Sequence, residues 1–299
     1  MQKHFLIVVN PVPSRARTKV LKQFLIFMQQ KSLSYELYPT EAAISANQHY
    51  FAHHLHKFTD IVVIGGDGTL HNVINSLPRP FSLPIGLIPA GTGNDFARWL
   101  YGLHCHNRPF IFEQVVGNWT SSISLGVCEF ENGHQQYFHN VLGLGFDALL
   151  AKELKHSKGL FRSLGYMVKA VQHIPFYQTK PLTLNIGDEK RQYHNLITAF
   201  ANGQYFGAGM QIAPTSSPDN QALTMCRIEK LPKLKMLGQI LRLFNGSHIH
   251  QDFVDYRDIS EVAYIEDTGL DIEADGEYLG QSPCRIYLTK HAAKFKRLL

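Results

Sequence analysis

The sequence predicts an α/β domain built on a doubly wound parallel sheet, followed by a mainly antiparallel β-sandwich domain. Three observations carry that expectation. The chain has 299 residues, more than one core comfortably holds. Up to about residue 120, continuous apolar runs alternate with segments of helical spacing, as strands covered on both faces by crossover helices do. Beyond Trp119 the spacing changes to short strand-like segments bounded by turn residues, the pattern of antiparallel sheets.

Phe5–Val9 is the first strand, an apolar run stopped by Asn10-Pro11 and shorter than the roughly 7–15 apolar residues of a secretion signal. Thr18–Lys31 places Val20, Leu21, Phe24, Leu25 and Met28 at helical spacing. Ser34–Tyr38 reads as a strand, Ile44–Phe58 as a helix, and the β-branched run Asp60–Ile64 as a buried strand. Leu70–Ser76 begins a further helix, Pro84–Ile88 a strand and Asn94–Tyr101 a helix. The second domain has strand-like segments at Ser121–Phe130, Tyr137–Leu144, Leu182–Ile186, Tyr193–Ala201, Leu223–Ile228, Glu261–Glu266 and Leu270–Ala274. Amphipathic helices are expected at Gly159–His173 and Leu231–Phe244. The domains are placed at 1–120 and 121–284, with residues 285–299 folding back onto the first.

A composition of 44% hydrophobic and 18% charged residues describes a globular chain, not a disordered one. The formal charge of +5 favours anionic partners, but Lys and Arg lack the dense clustering of a nucleic-acid binder, so no nucleic acid is expected. Cys105, Cys128, Cys226 and Cys284 are scattered without a Cys-x-x-Cys pair and read as reduced thiols of a cytoplasmic protein. His49, His53, His54 and His56 crowd one segment, yet no acidic residue completes a metal set. No apolar run approaches the roughly 18 residues needed to span a bilayer, so any membrane is met from its surface.

The strongest chemical signal is Ile61–Leu70, a strand entering Gly65-Gly66-Asp67-Gly68-Thr69 and then a helix. The glycines permit positive φ and let backbone N–H groups approach an anion. A carboxylate at Asp67 would repel phosphates unless Mg²⁺ or an acceptor hydroxyl lies between; a plain Gly-Asp-Gly turn is the other reading. Pro84–Arg98 repeats the plan one unit later, with Thr92, Asn94 and Asp95 at a helix start that should present unpaired N–H groups. There the bland alternative is that Asn94 or Asp95 is simply the helix cap. The third signal, Glu273-Ala274-Asp275-Gly276-Glu277, is either a tight turn or a pair of carboxylates available for general-base work.

Gly65–Thr69, Gly91–Arg98, Asn140–Asp147, Ala201–Pro214 and Asp275–Glu277 occur in the order of the diacylglycerol kinase catalytic family, which the chain resembles from about residue 4 onward. The resemblance implies a first domain like that of NAD kinases and phosphofructokinases, and an ATP-dependent lipid kinase. It implies a nucleotide site of Asn10, Thr40, Gly65, Gly66, Asp67, Gly68, Thr69, Leu70, His71, Asn72, Thr92 and Asn94. It also implies an Mg²⁺–carboxylate network at Asp67 and Asp95, catalytic carboxylates Asp275 and Glu277, and Glu277 as general base. Two stretches depart from the family pattern. Asn10-Pro11-Val12-Pro13-Ser14 replaces a glycine-flexible loop with one stiffened by Pro13. A structural metal turn would fall at Ser217, Asn220 and Ala222, where the amide of Asn220 replaces a carboxylate and should leave that site weak or empty.

The acceptor is expected to be diacylglycerol or a related lipid at the inner face of the membrane. Lys230, Lys233, Lys235 and Arg242 interleave with Leu234, Leu237, Ile240, Leu241 and Phe244, as in a helix lying among headgroups or one covering its own core. A homodimer is an allowed assembly. The rival readings are an NAD kinase-like enzyme, which shares only Gly65–Thr69, and a silent nucleotide- or lipid-binding regulator.

Overall fold

The computed structural model describes residues 3–154, 177–207, 209–229, 231–232 and 241–297. The expected helix Gly159–His173 and most of Leu231–Phe244 lie outside the described residues. The chain divides into two compact units, Met1–Ile123 with His291–Leu299, and Ser124–Lys290.

The first unit alternates β1 (His4–Val9), α1 (Arg15–Gln30), β2 (Ser34–Pro39), α2 (Ile44–His54), β3 (Asp60–Gly65), α3 (Asp67–Ser76), β4 (Ile85–Pro89), α4 (Asp95–Tyr101) and α5 (Arg108–Val116). Its strands run parallel in the order β2-β1-β3-β4. The chain leaves β1 for β2 on one side and crosses back to β3 on the other, so the order reverses between β1 and β3. Ligands of open α/β sheets bind beyond the carboxyl ends of the strands at such a reversal. Every residue of β3 and β4 is buried, which explains their unbroken apolar sequences.

Helix α1 starts three residues before the expected point because Ser14 caps it, its Oγ accepting the Arg17 N–H at 3.4 Å. Val20, Phe24 and Met28 form its buried stripe. Helix α5 was not expected. Asn107 caps it by accepting the Phe110 N–H at 3.2 Å, a proline sits in its first turn, and it buries Ile111, Phe112 and Val115.

The described strand pairs of the second unit run antiparallel. Its elements are β5 (Thr120–Phe130), β6 (Gln135–Phe138), β7 (Val141–Gly145), the helix α6 (Phe146–Leu154), β8 (Pro181–Ile186), β9 (Glu189–Ala201), β10 (Leu223–Glu229), β11 (Val254–Ile259), β12 (Ala263–Ile265), β13 (Asp271–Ala274), β14 (Glu277–Gln281) and β15 (Cys284–Lys296). Strand β9 serves two sheets. Glu189–His194 pairs with β8, whereas the stretch from Asn195 to Ala201 pairs with β7 and β10. Leu182, Leu184 and Ile186 alternate inward from β8 and pack in one core with Leu142, Leu144, Phe200, Met225 and Ile272. Val141, Ile197, Ala199 and Cys226 cover the other face of the second sheet, beneath Phe146 and Leu150 of α6. The single strand expected at Tyr137–Leu144 is two, broken at His139-Asn140.

The end of β15 belongs to the first unit. Phe295 pairs in parallel with Ile85, and its ring lies 5.1 Å from that of Phe96. Lys296 is buried in an ion pair with buried Asp60, and its Nζ donates to the Gly117 carbonyl at 2.8 Å. Removing one partner of such a pair strands the other charge. Lys296→Ala should therefore lower the unfolding free energy by about 3–5 kcal/mol in a denaturant titration. A loss under about 1 kcal/mol, the worth of an exposed pair, would mean that the contact carries no buried charge.

Candidate active site

Two glycine turns leave the carboxyl ends of neighbouring β3 and β4, and they touch. A Cβ on Gly66 would lie 2.8 Å from the Cα of Gly91, and one on Gly91 would lie 2.4 Å from the Cα of Gly66. Only glycine fits either position. Close approach is the reason, since neither residue has positive φ; the left-handed residue here is Asn94, at φ 54°. Its side chain closes its own loop, accepting the Gly91 N–H at 2.9 Å and donating to the Gly91 carbonyl at 2.8 Å.

Asp67 joins the two turns. Its Oδ2 accepts the N–H of Asp95 and its Oδ1 accepts the N–H of Phe96, each at 3.0 Å, so a carboxylate from one turn caps the helix of the other. This corrects the expectation that the helix start at Thr92, Asn94 and Asp95 offers unpaired N–H groups. Those of Asp95 and Phe96 are taken. Asp95 itself is buried and pairs with Arg98, whose Nε is 3.6 Å away.

The other expected nucleotide residues divide by what their side chains face. Asn10 donates from Nδ2 to Thr69 Oγ1 at 3.4 Å and accepts the Val12 N–H at 2.9 Å. Arg17 holds the same loop through the carbonyls of Asn10 and Val12, so Pro13 stands in a segment already fixed. Thr40 is buried and donates to the Val9 carbonyl. Leu70 and His71 are buried, and the Leu70 N–H donates to the Gly66 carbonyl at 3.0 Å. Asn72 turns its Oδ1 towards α2, where Asn47 Nδ2 donates at 2.9 Å. Asn47 also accepts from Tyr38 Oη at 2.8 Å, a buried polar network tying β2, α2 and α3 together. Thr92 is exposed.

In the second unit, Asp275 departs from its expected role as an accessible base. Its side chain is 0% exposed and lies 2.8 Å from His139 Nδ1, which is equally buried. It accepts N–H bonds from His139, Asn140 and Val141 at 2.9–3.3 Å, and so shapes the break between β6 and β7. Glu277, at the start of β14, stays half-exposed. Sequence reasoning missed a second carboxyl pair, Asp147 and Glu273, both buried. The available signal was Glu273 itself, a charge inside an otherwise inward-facing stretch of β13.

A model of the diacylglycerol kinase catalytic domain matches residues 4–128, and a model of the YegS C-terminal NAD kinase beta sandwich-like domain matches residues 140–294. The chain belongs to the diacylglycerol kinase family. A relative named diacylglycerol kinase from Mycobacterium tuberculosis is 29% identical over 80% of this chain and 77% of its own. A crystal structure titled as a diacylglycerol kinase from Bacillus anthracis covers 99% of this chain and 97% of its own, with TM-score 0.70 at 17% identity. An NAD kinase from Archaeoglobus fulgidus in complex with ATP covers 98% and 93%, with TM-score 0.54 at 13% identity. At these identities the structures support the fold alone.

In this member of the diacylglycerol kinase family, the turn at Ser217, Asn220 and Ala222 does not fit a divalent metal. The Ser217 carbonyl accepts the Asn220 N–H at 2.8 Å, and the Asn220 carbonyl accepts from Ser124 Oγ at 3.2 Å. The Asn220 amide donates from Nδ2 to the Thr215 carbonyl at 3.4 Å, a bond a carboxylate could not make, and it brings no negative charge to the turn. Chelator should leave the melting temperature of the wild type unchanged. Asn220→Asp should make it rise with added Mg²⁺, as binding to the folded state alone requires. Chelator sensitivity that survives Asp67→Asn would restore the metal site at this turn.

Proposed function

We propose that the chain is an ATP-dependent lipid kinase that moves the γ-phosphoryl group of ATP to a hydroxyl of diacylglycerol or a related lipid. The observation that carries this reading is the pair of touching glycine turns tied by Asp67, in a member of the diacylglycerol kinase family. The backbone of Gly65–Asn72 and the side chains of Asn10 and Thr92 are assigned to the nucleotide. Mg²⁺ would be held by Asp67 and Asp95, and when bound it neutralises charge on the phosphates. The donors suit it, because a carboxylate offers about four lone-pair sites and α4 takes two of those on Asp67.

Glu277 is assigned the acceptor side. It takes the hydroxyl proton as that oxygen bonds to the γ-phosphorus, and the bond to the β–γ bridging oxygen breaks to release ADP. Asp275 acts by holding the turn that carries Glu277. Incubation with labelled ATP and a total lipid extract, followed by chromatography, should put label into a phospholipid. Label in NADP when NAD is supplied in a parallel incubation, with none in lipid, would select the NAD kinase reading. ATP binding in calorimetry with no transfer would select a silent regulator.

Among the described residues no helix is long and apolar enough to cross a membrane. The lipid is proposed to be reached at the bilayer surface through the basic and apolar stretch from Lys230 to Phe244, of which Leu241 and Phe244 are described and exposed. Each cation near an anionic surface contributes about 1 kcal/mol. Exchanging Lys230, Lys233 and Lys235 for Glu should weaken sedimentation with anionic vesicles and raise the lipid KM, with ATP affinity kept. Sedimentation equal to wild type would remove the segment from the membrane.

A further inference from the structure

Gly143, in the middle of β7, leaves room that two carboxyl groups fill. A Cβ placed there would lie 1.8 Å from Asp147 Oδ2 and 3.0 Å from Glu273 Oε1, so both oxygens crowd the same point. Asp147 arrives from the first turn of α6 and Glu273 from β13, and they are 1% and 5% exposed. Their hydrogen bonds come from neutral N–H groups: Ala148 to Asp147 Oδ1 at 2.9 Å, and Gly276 to Glu273 Oε2 at 2.8 Å.

Among the described residues no cation pairs with either. Lys152 of α6 goes to Asp271 at 2.9 Å, and Tyr278 of β14 donates to the same carboxylate. His139 goes to Asp275. The other titratable groups facing the pair are Asp275, Glu277 and Tyr177, each neutral or negative. Thr198 Oγ1 of β9 donates to Asn195 Oδ1, and Asn195 Nδ2 donates to the Leu144 carbonyl.

We propose that Asp147 and Glu273 share one proton and act as the positioning pair for the Asp275-Gly276-Glu277 turn. Two carboxylates so close in a dry site cannot both ionise, so one stays a carboxylic acid and donates to the other. Burial pushes Asp147 up to about 7, and burial followed by repulsion from Asp147 pushes Glu273 well above the ordinary carboxylate range. The shared proton leaves Glu273 Oε2 free to hold the Gly276 N–H. That bond closes a turn in which Asp275 and Gly276 are both left-handed, at φ 53° and 81°. A non-glycine residue adopts that conformation only when its surroundings enforce it. Glu277 follows immediately, so the pair sets the direction from which it leaves the turn.

The proposal rests on Glu277 as the general base, and its test separates the two. Infrared spectra of the intact enzyme, without substrate, should show a protonated-carboxyl band that persists well above the ordinary carboxylate range and fades only at higher pH. Glu273→Gln and Asp147→Asn should each remove it. Glu273→Ala should lower kcat at least tenfold while shifting the lipid KM less. Glu273→Gln, which offers the same acceptor oxygen and an N–H in place of the shared proton, should restore most of that loss and extend activity to higher pH. Wild-type stability should fall as pH rises from the ordinary carboxylate range, about 4, towards 7, because the unfolded chain gives up the proton that the folded chain retains. Glu273→Gln should flatten that slope, and Asp147→Asn gives the same reading should Glu273→Ala not fold. Absence of the band, or a glutamine variant as weak as alanine, overturns the pair. An active Glu277→Gln beside an intact band would overturn the base alone.

Discussion

Asparagine at position 67 should lower kcat at least about a hundredfold, near 2.7 kcal/mol of transition-state stabilisation. Two effects combine. The charge that would hold Mg²⁺ is lost, and the two N–H groups of α4 now meet one acceptor oxygen and one NH₂ group in place of two oxygens. A hydrogen bond to a charged group contributes about 1.5–3 kcal/mol, so the start of α4 should loosen as well. Hydrogen exchange at the amides of Asp95 and Phe96 should accelerate, while amides of β1 and β3 stay protected. Glutamate should not rescue, because an added methylene displaces both oxygens from the cap. Activity within tenfold of wild type would remove Asp67 from the chemistry.

Glutamine at position 277 should lower kcat by about 10²–10⁴, the usual worth of a positioned acid or base, with melting temperature and ATP affinity unchanged. The neighbouring substitution Asp275→Asn should fail differently. Its carboxylate is buried against three backbone N–H groups and His139, so its loss should lower stability by about 3–5 kcal/mol along with activity. Kinetics and denaturation on the two variants thus separate a group that meets substrate from one that shapes a turn. A stable but inactive Asp275→Asn beside an active Glu277→Gln would exchange the two roles.

The parallel sheet was legible because β3 and β4 are buried on both faces, and such strands read as unbroken apolar runs. Strand β14 was not. Its residues are half-exposed up to Gly280 and exposed at Gln281, and they include Glu277 and Tyr278, with no alternation to mark a face. Helix α5 was announced only by its cap, Asn107 followed by a proline, and was missed. The glycine motifs do fall at the ends of β3 and β4, but the local pattern misjudged the free N–H groups of the second turn. Asp67 meets partners 28 and 29 residues away, and that contact depends on the register of β3 against β4, which no local pattern records. The Asp147 and Glu273 pair was hidden for the same reason. Asp147 alone looks like an ordinary surface acid, and Glu273 in the apolar stretch of β13 does not name its partner.

Lys3, at the beginning of β1, and Lys296, at the end of β15, both donate to the carbonyl oxygen of Gly117. Lys3 and Lys296 are therefore neighbours, although Lys296 lies 179 residues beyond Gly117 in sequence. The order of synthesis opposes this arrangement: a ribosome releases the last strand of the first unit only after the whole second unit has emerged. Until then Asp60 sits without its ammonium partner, in a sheet whose β4 edge is bare. A circular permutant, its ends bridged by a short linker and its chain opened at the exposed turn around Gly133, would deliver that unit as one contiguous stretch.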